Sequence, residues 1–242
     1  MATVAAAPAH STYSASQPFF VRLAWILSAI IVIGFAQHAA LGRVNIPAVP
    51  VWVHLHGLLM LIWLGLFITQ NRLAANGNLA LHRRLGWIGA FLVWAIVGVG
   101  CFTGVMSLAL HRFPSFFSAP FFLSLTLIGT LAFGGLVLAG IINRRDTETH
   151  RRLIMGGTIV ILEPAFGRLL PAPLIGGELT EWIIMAIQLG VVGLIALNDR
   201  KTLGRVHAAT FSVGVVIVLS HVLVSLAAKS APVIALAHRI AG

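Results

Sequence analysis

The sequence predicts an all-α membrane protein, a polytopic transmembrane helix bundle of about seven helices with its N-terminus inside and its C-terminus outside. Two features of composition lead to this prediction: 59% of the 242 residues are hydrophobic and only 9% are charged. Soluble domains carry roughly a quarter charged residues. The third feature is the division of the chain into long apolar runs, each close to the roughly 20 residues that a helix needs to cross a bilayer.

The apolar runs, separated by proline, glycine and charged residues, place the helices in order along the chain. A leading helix at 22–41 comes before three helical hairpins, which we predict at 51–109, 121–170 and 181–228. Within the hairpins the single helices are predicted at 51–70, 85–109, 121–142, 153–170, 181–197 and 206–228. Together these elements fill nearly the whole chain, so any chemistry lies in or beside the membrane.

The two ends of the chain differ in composition from the rest. Residues 1–18 are rich in Ala, Ser and Pro without an apolar core, so we predict a disordered tail and not a cleaved signal peptide. Residues 231–242 are predicted to form a C-terminal tail, which leaves 19–230 as a single transmembrane domain. The one cysteine, Cys101, lies in an apolar run, so it forms no intrachain disulfide and no cysteine cluster for a metal.

Membrane topology explains the formal charge of +10 better than nucleic-acid binding does. About ten of the 16 Lys and Arg residues fall in three loops on one side of the predicted bundle: Arg72, Arg83, Arg84, Arg144, Arg145, Arg151, Arg152, Arg200, Lys201 and Arg205. Cytoplasmic loops of membrane proteins carry such an excess of Lys and Arg. The expected partner of the chain is therefore the lipid bilayer, with no nucleic acid.

The three basic loops repeat a pattern of residues. In each, one helix ends in Asn and the next begins with His: Asn71 and His82, Asn143 and His150, Asn198 and His207. The positive-inside rule explains the arginines of these loops but not a histidine at each return into the membrane. We therefore interpret the chain as three related helical hairpins plus one leading helix.

The fifth predicted helix is interrupted by the pair Glu163-Pro164 and is followed by Arg168. Proline within a helix frees a backbone carbonyl and bends the axis. In a membrane such a break is tolerated only where protein or water satisfies the freed groups. Glu163 and Arg168 are therefore the candidate catalytic or relay residues.

Four histidines are predicted to share one depth with Glu163 near the outer side of the bundle. Ionisable groups at such depths are costly and usually face the bundle interior. As possible ligands of a non-haem metal ion we name His38, His54, His56 and His221. Because His54 and His56 are two residues apart, they point about 200° apart on a helix, so one of the two is expected to face the site.

A second set of histidines suits haem b. His207 and His221 lie fourteen residues apart on one helix, so they project from nearly the same face, about 21 Å apart. Membrane cytochromes b pair histidines in a similar way, and neutral imidazoles are common axial ligands of haem. The candidate haem ligands are His54 or His56 with His221 on the outer side, and His82 or His150 with His207 on the inner side.

Short motifs between residues 50 and 170 resemble those of uncharacterised bacterial multi-pass membrane proteins. The motifs are His54-Leu-His56-Gly57, Trp63, Gln70, and the repeated His82-Arg-Arg-Leu-Gly and His150-Arg-Arg-Leu. The chain is more distantly similar to small histidine-bearing membrane proteins of haem-oxidase maturation. The resemblance implies a bacterial inner (plasma) membrane location, and it assigns no functional residue.

Three functions are compatible with these residues. The first is a haem b-binding protein that transfers electrons, with a quinone or a redox partner subunit, or assists haem-protein assembly. The second is a proton-coupled transporter with a relay of Glu163, Arg168 and histidines. The third is a metal-dependent enzyme that acts on a lipid-soluble substrate. The sequence contains no phosphate-binding loop, His-Glu-x-x-His zinc motif or nucleophile elbow, which leaves enzymatic activity open.

Overall fold

The computed structural model describes residues 9–242, with side chains from residue 16, and it confirms the predicted all-α transmembrane bundle. This part of the chain contains no strand. Its helices are α1 (Ala9–Ala40), α2 (Val51–Ala75), α3 (Leu79–Ala109), α4 (Ala119–Ile142), α5 (Thr147–Val160), α6 (Glu163–Leu169), α7 (Ala172–Ile175), α8 (Gly177–Leu203), α9 (Ala208–Ala228) and α10 (Ala231–Ala241). A short 3-10 turn at Ile46–Ala48 comes before α2.

Six helices of the described region are long and apolar enough to cross a bilayer, namely α1, α2, α3, α4, α8 and α9. The remaining predicted crossing is divided into α5 and α6, which follow each other with only residues 161–162 between them. The pair runs antiparallel to the spanning helix α8, since Arg152 meets Asp199 and the carbonyls of Ile159 and Val160 meet Gln188, nearer the start of α8. The protein is therefore an integral membrane protein, and the break predicted at Glu163-Pro164 lies within a crossing.

The connecting segments alternate between two faces of the bundle. One face, here called the arginine-rich face, carries the short connections at 76–78, 143–146 and 204–207. The other, here called the opposite face, carries the connections at 41–50, 110–118 and 170–176. Helix α10 begins at the opposite face and packs against α3, α4 and α9.

Helices α3 and α5 begin about six residues before the apolar runs that predicted them. The side chain of Asn78 accepts a hydrogen bond from the Leu81 amide at 3.3 Å and caps α3. Asp146 Oδ1 accepts from the amides of Glu148 and Thr149 at 3.1 and 3.2 Å and caps α5. Apolar runs mark the depth of the hydrocarbon, whereas polar caps mark where a helix begins. The His-Arg-Arg motifs consequently lie in the first turns of their helices and not in the loops.

The two predicted tails also differ from the structure. Residues 1–8 lie outside the described region, whereas 9–18 already belong to α1. Residues 231–241 form α10, in which Ala237 is fully buried against the bundle. The apolar run of α10 covers only 231–237 before His238 and Arg239, so a search for runs long enough to cross a bilayer misses this helix.

The core of the bundle is built around α4 and α5, where small residues allow close helix packing. A Cβ on Gly157 of α5 would lie 2.6 Å from the Val137 side chain of α4. A Cβ on Gly34 of α1 would lie only 2.8 Å from the backbone oxygen of Ala165 in α6. Small residues of this kind let the backbones of membrane helices approach each other. The short helix α6 is thus seated directly on the backbone of α1.

Candidate functional site

The break between α5 and α6 is completed by a side chain from α8. Pro164 has no backbone N–H, so the carbonyl of Val160 loses its helical partner four residues later. The Gln188 amide nitrogen donates to the carbonyl oxygens of Ile159 and Val160 at 3.1 and 3.0 Å. Gln188 is only 1% exposed. The backbone groups freed by the proline are therefore satisfied by protein in the membrane interior, as a broken crossing requires.

Gln188 also fixes the protonation of His221 on α9. The Nε2 atom of His221 lies 2.8 Å from Gln188 Oε1, and an amide oxygen can only accept a hydrogen bond. The nitrogen and oxygen of the Gln188 amide cannot be exchanged, because the nitrogen position faces two carbonyl oxygens that need a donor. Nε2 of His221 consequently carries a hydrogen, and any second proton on this ring has to reside on Nδ1.

Nδ1 of His221 lies 3.0 Å from Oε1 of Glu181, the fifth residue of α8. Glu181 is 4% exposed, and in the described part of the chain no donor makes a well-aligned hydrogen bond to either of its oxygens. A bare nitrogen lone pair and a carboxylate would repel each other at this distance. One proton therefore has to be shared, either as imidazolium with carboxylate or as imidazole with carboxylic acid.

Glu163, the first residue of α6, extends this polar group. Its charged neighbours are Glu181, Arg168 and His221, contributed by α8, α6 and α9. Glu163 is partly buried. Three ionisable side chains that can gain or lose a proton thus meet at the break in the membrane crossing. We call Glu163, Glu181, Gln188 and His221 the break cluster.

Arg168 lies on the other side of Glu163, toward the opposite face. Its Nη1 donates to the Pro164 carbonyl at 2.7 Å, and its guanidinium lies 4.2 Å from the centre of the Phe35 ring. The first contact keeps the side chain on its own helix, and the second holds it against α1. Arg168 is the charged neighbour of Glu163 on one side and of His38 and His56 on the other. The predicted pair Glu163 and Arg168 is therefore brought together by the fold.

The structure separates the two histidines of the His-x-His motif. His54 is exposed, whereas His56 is half-buried with a ring nitrogen, Nδ1, that has no hydrogen-bond partner in the described region. A Cβ on Gly100 of α3 would lie 3.6 Å from the His56 ring, so His56 is the inward-facing member of the pair. His38, near the end of α1, also has an unpartnered Nδ1 among the described residues.

The four histidines named as metal ligands do not converge. Helix α2, which carries His54 and His56, packs against α1 and α3, whereas α9 with His221 packs against α4, α5 and α8. Within the part of the chain that the structure describes, no three His, Cys, Asp or Glu side chains are placed to hold a metal ion. The structure instead places His221 in the break cluster and His38 and His56 near Arg168, whereas His54 is exposed.

Two histidines at the arginine-rich face are held in matching ways. His82 Nδ1 lies 3.3 Å from the Gln70 carbonyl oxygen, and His150 Nδ1 lies 2.8 Å from that of Gly140. Each histidine therefore joins the start of its helix to the end of the preceding one. A carbonyl oxygen only accepts, so Nδ1 carries the hydrogen and Nε2 keeps its lone pair. The two rings lie 6.2 Å apart between centres and nearly perpendicular to each other.

His207, the third histidine of the repeat, has a different role. Its Nδ1 accepts a hydrogen bond from the Ala209 amide at 3.1 Å and caps α9. Its backbone N–H donates to Asp199 Oδ2 at 3.1 Å. Burial lowers the pKa of His207, and the positive charge of Arg152 lowers it further, which favours the neutral ring that can act as a cap. His207 therefore belongs to a structural group and does not face His82 or His150.

Sequence reasoning missed Glu181, Gln188 and Asp199. Glu181 and Gln188 are seven residues apart, almost two full turns, so they share one face of α8. That spacing of two polar residues in an apolar run is the signal that could have identified them. Asp199 was assigned to a loop, whereas the structure buries it fully in α8 and pairs it with Arg152. Nothing in the local sequence distinguishes Arg152 from Arg151 or from the exposed Arg144 and Arg145.

Comparison of the chain with protein-family models, with curated proteins and with solved structures finds no match. The function is therefore inferred from the arrangement of the side chains.

Proposed function

We propose that this protein is a proton-coupled carrier in which the break cluster takes up and releases the transported proton. The observation that carries the proposal is the 3.0 Å contact of His221 Nδ1 with Glu181 Oε1 at a broken membrane crossing. Ionisable residues inside a membrane are costly and are typical of proton relays and ion pathways. Carriers also use broken helices near the middle of the bilayer to build their sites.

The chemistry of the break cluster suits proton exchange. Glu181 and His221 share one proton, because the ring nitrogen and the carboxylate would otherwise repel each other. Glu163 is a second acceptor within the same electrostatic neighbourhood and is partly buried. Transfer of the proton to Glu163 neutralises the carboxylate beside Arg168 and leaves the charge of Arg168 uncompensated. The proton and the charge state of Arg168 are thus coupled.

The asymmetry of charge supports an orientation for the carrier. The connections of the arginine-rich face and the adjoining helix ends hold most of the Lys and Arg residues, which is typical of the cytoplasmic side. In a bacterial inner membrane the opposite face, with Arg168 and the end of α1, then faces the periplasm. Protons would enter the break cluster from that face.

Infrared spectroscopy of the reconstituted protein tests the shared proton. Difference spectra between acidic and alkaline buffer should show a band of a protonated carboxyl group that Glu181→Gln removes. The matched control is Glu178→Gln on the same helix, since Glu178 is exposed and pairs with Lys229 at 3.0 Å. A spectrum that Glu181→Gln and Glu163→Gln leave unchanged would contradict the proposal.

Haem b binding is the second candidate, and His82 with His150 is the observation that favours it. Each Nδ1 is held by a backbone carbonyl, which orients the ring and leaves Nε2 free, as is usual for histidines that ligate a metal. These two side chains therefore fit the donor set of a haem, which would supply one-electron transfer. His221 does not fit, because Gln188 and Glu181 face both of its ring nitrogens.

An optical spectrum of the detergent-purified protein tests this second candidate. A haem protein should show a Soret band and a sharp α-band after reduction with dithionite, and His150→Ala should remove both. The exposed His54 supplies the control, since His54→Ala should leave the bands in place. A featureless spectrum after expression with a haem precursor would exclude haem binding and leave proton-coupled transport as the proposed function.

A further inference from the structure

A cavity of about 300 Å³ opens at the opposite face beside Arg168. It lies between the end of α1, the end of α6 and the short helix α7, and Phe116 from the connection before α4 completes its wall. Its volume is at the lower end of the range found for small-molecule sites. The cavity therefore has room for a small organic molecule.

The polar side chains that line the cavity are all basic. They are His38, Arg43 and Arg168, and no carboxylate stands among the lining residues that the structure describes. Arg43 is exposed and forms no ion pair with any described residue. Arg168 uses one N–H for the Pro164 carbonyl, so the rest of its guanidinium is available. Because no lining carboxylate balances the two arginines, they attract an anion, and guanidinium groups suit carboxylates.

The remaining wall of the cavity is apolar. It consists of Phe116, Leu170, Pro171, Pro173 and Leu174, with Gly167 at the base beside Arg168. An inorganic anion such as chloride or phosphate would leave this wall in contact with water. An organic acid with an apolar body would cover it and place its charged group on the arginines.

We infer that the cavity binds the carboxylate of a small organic acid with an apolar body, and that this anion is what the carrier moves with its proton. That the anion is transported together with a proton rests on the proposed function. Arg168 is the link, because it borders the cavity and is also the cationic neighbour of Glu163. A bound carboxylate that pairs with Arg168 leaves Glu163 without its counter-charge. Glu163 then takes a proton from water, so one anion and one proton are loaded together.

Binding is tested with benzoate on the purified protein in nanodiscs, with benzamide as the neutral analogue of equal shape. Benzoate should bind and benzamide should not, and Arg168→Gln should weaken benzoate binding about tenfold or more, since it removes a charge-assisted contact. Leu174→Trp should also block binding by filling the cavity from an exposed position. The control is Arg112→Gln, an exposed arginine on the same face.

The source of the acid is distinguished by a second ligand. Benzoate represents an acid that arrives from water, whereas laurate added to the nanodisc represents one that arrives through the bilayer. Saturable binding of either that Leu174→Trp and Arg168→Gln both abolish supports the site. Equal binding of benzoate and benzamide, or benzoate binding that neither variant changes, would overturn it.

Proton uptake separates the failure of the site from the failure of the carrier. The acid that binds is added to proteoliposomes that contain a pH-sensitive dye, and the dye should report acidification of the interior. The signal from protein-free vesicles is subtracted to remove passive diffusion of the acid. Glu163→Gln should keep the binding and lose this coupled uptake. If benzoate or laurate binds in an Arg168-dependent way but the protein takes up no protons with it, the binding site stands and its coupling to proton transport is wrong. If the protein carries protons in a Glu163-dependent way but binds neither acid, the binding site is wrong and the proton carrier stands.

Discussion

Gln188 shows how much of this bundle depends on one uncharged side chain. Its amide nitrogen satisfies two backbone carbonyls of the broken crossing, and its oxygen accepts from His221. The amide, the two carbonyls and the imidazole all lie in the bundle interior, where water does not replace a missing partner. Gln188 thus stabilises the break and at the same time decides which nitrogen of His221 faces Glu181.

Gln188→Leu keeps the size of the side chain but removes its donors and its acceptor. We expect the free energy of unfolding in mixed micelles to fall by about 2 kcal/mol or more, because the Val160 carbonyl and one ring N–H lose their partners. The Ile159 carbonyl keeps its bond from the Leu162 amide at 3.1 Å. Gln70→Leu, which removes a single hydrogen bond to the His82 carbonyl, should cost clearly less. Equal effects of the two variants would show that Gln188 has no special role at the break.

The cap formed by His207 makes part of the stability of the protein depend on pH. The pKa of His207 is lowered by burial and by Arg152, and its acidic neighbours Asp146, Asp199 and Glu148 oppose this only in part. The folded state therefore binds fewer protons than the unfolded state in the range below about pH 6.5, and its stability falls as the pH drops through that range.

His207→Asn provides the measurement, because Asn caps a helix without titrating. The thermal unfolding midpoint of the parent protein should fall from about pH 7 to pH 5 by more than that of the variant. The difference between the two pH curves reports the contribution of His207 alone. Parallel curves would mean that the proton on His207 does not affect stability.

At the scale of elements, a buried ion pair joins three helices near the arginine-rich face. Arg152 of α5 and Asp199 of α8 are both fully buried, and the closest approach of their polar atoms is 2.5 Å. Asp199 also accepts from the Thr210 hydroxyl of α9 at 2.6 Å. Glu148, one turn before Arg152, provides a second carboxylate for the guanidinium. The helices that carry the break cluster are therefore aligned by a charged contact at their other end.

Removing one partner of a buried ion pair costs more than removing both. Arg152→Met should destabilise the bundle by about 3 kcal/mol or more, because it leaves the Asp199 carboxylate buried without its cation. Arg152→Met combined with Asp199→Asn should recover much of that loss, since Asn still accepts from Thr210 and His207. Chemical unfolding of the two single variants and the double variant gives the coupling energy. Additive effects would show that the pair is not coupled.

At the scale of the whole molecule, the distribution of charge predicts which face is cytoplasmic. With Cys101→Ser as background, a cysteine at Ser118 should react with a membrane-impermeant maleimide in intact cells. A cysteine at Asn76 should react only after the membrane is opened. Both positions are exposed, and they lie on the opposite face and the arginine-rich face respectively. The reverse pattern of labelling would invert the proposed orientation.

How much the sequence could predict depends on the kind of signal. The crossings follow from hydropathy, since lipid imposes one length and one composition on a helix. The break at Pro164 follows from the missing N–H of proline. Helix α10 does not follow, because its apolar run at 231–237 is far shorter than a crossing needs. The starts of α3 and α5 depend on the caps Asn78 and Asp146, which a search for apolar runs ignores.

The candidate site was predictable only in part, and the reason is geometric. Depth along a helix can be counted from the sequence, so Glu163 and His221 were placed at a common level. The neighbours of a helix cannot be counted in this way, and α9 turned out to pack against α8 and not against α2. Glu181 and Gln188 therefore lie beside His221, a position that sequence reasoning could not assign.

The contact of Gly34 with Ala165 has a consequence for motion. Where two helices meet through side chains, a rotation of one requires the rotamers of both to change. Helix α6 instead rests on the backbone of α1 at this point, and Pro164 has no N–H to bond back to α5. A rotation of this seven-residue segment about the break therefore meets backbone and not a side chain at Gly34. The outer half of the broken crossing is thus the part of the bundle best suited to move as a lever.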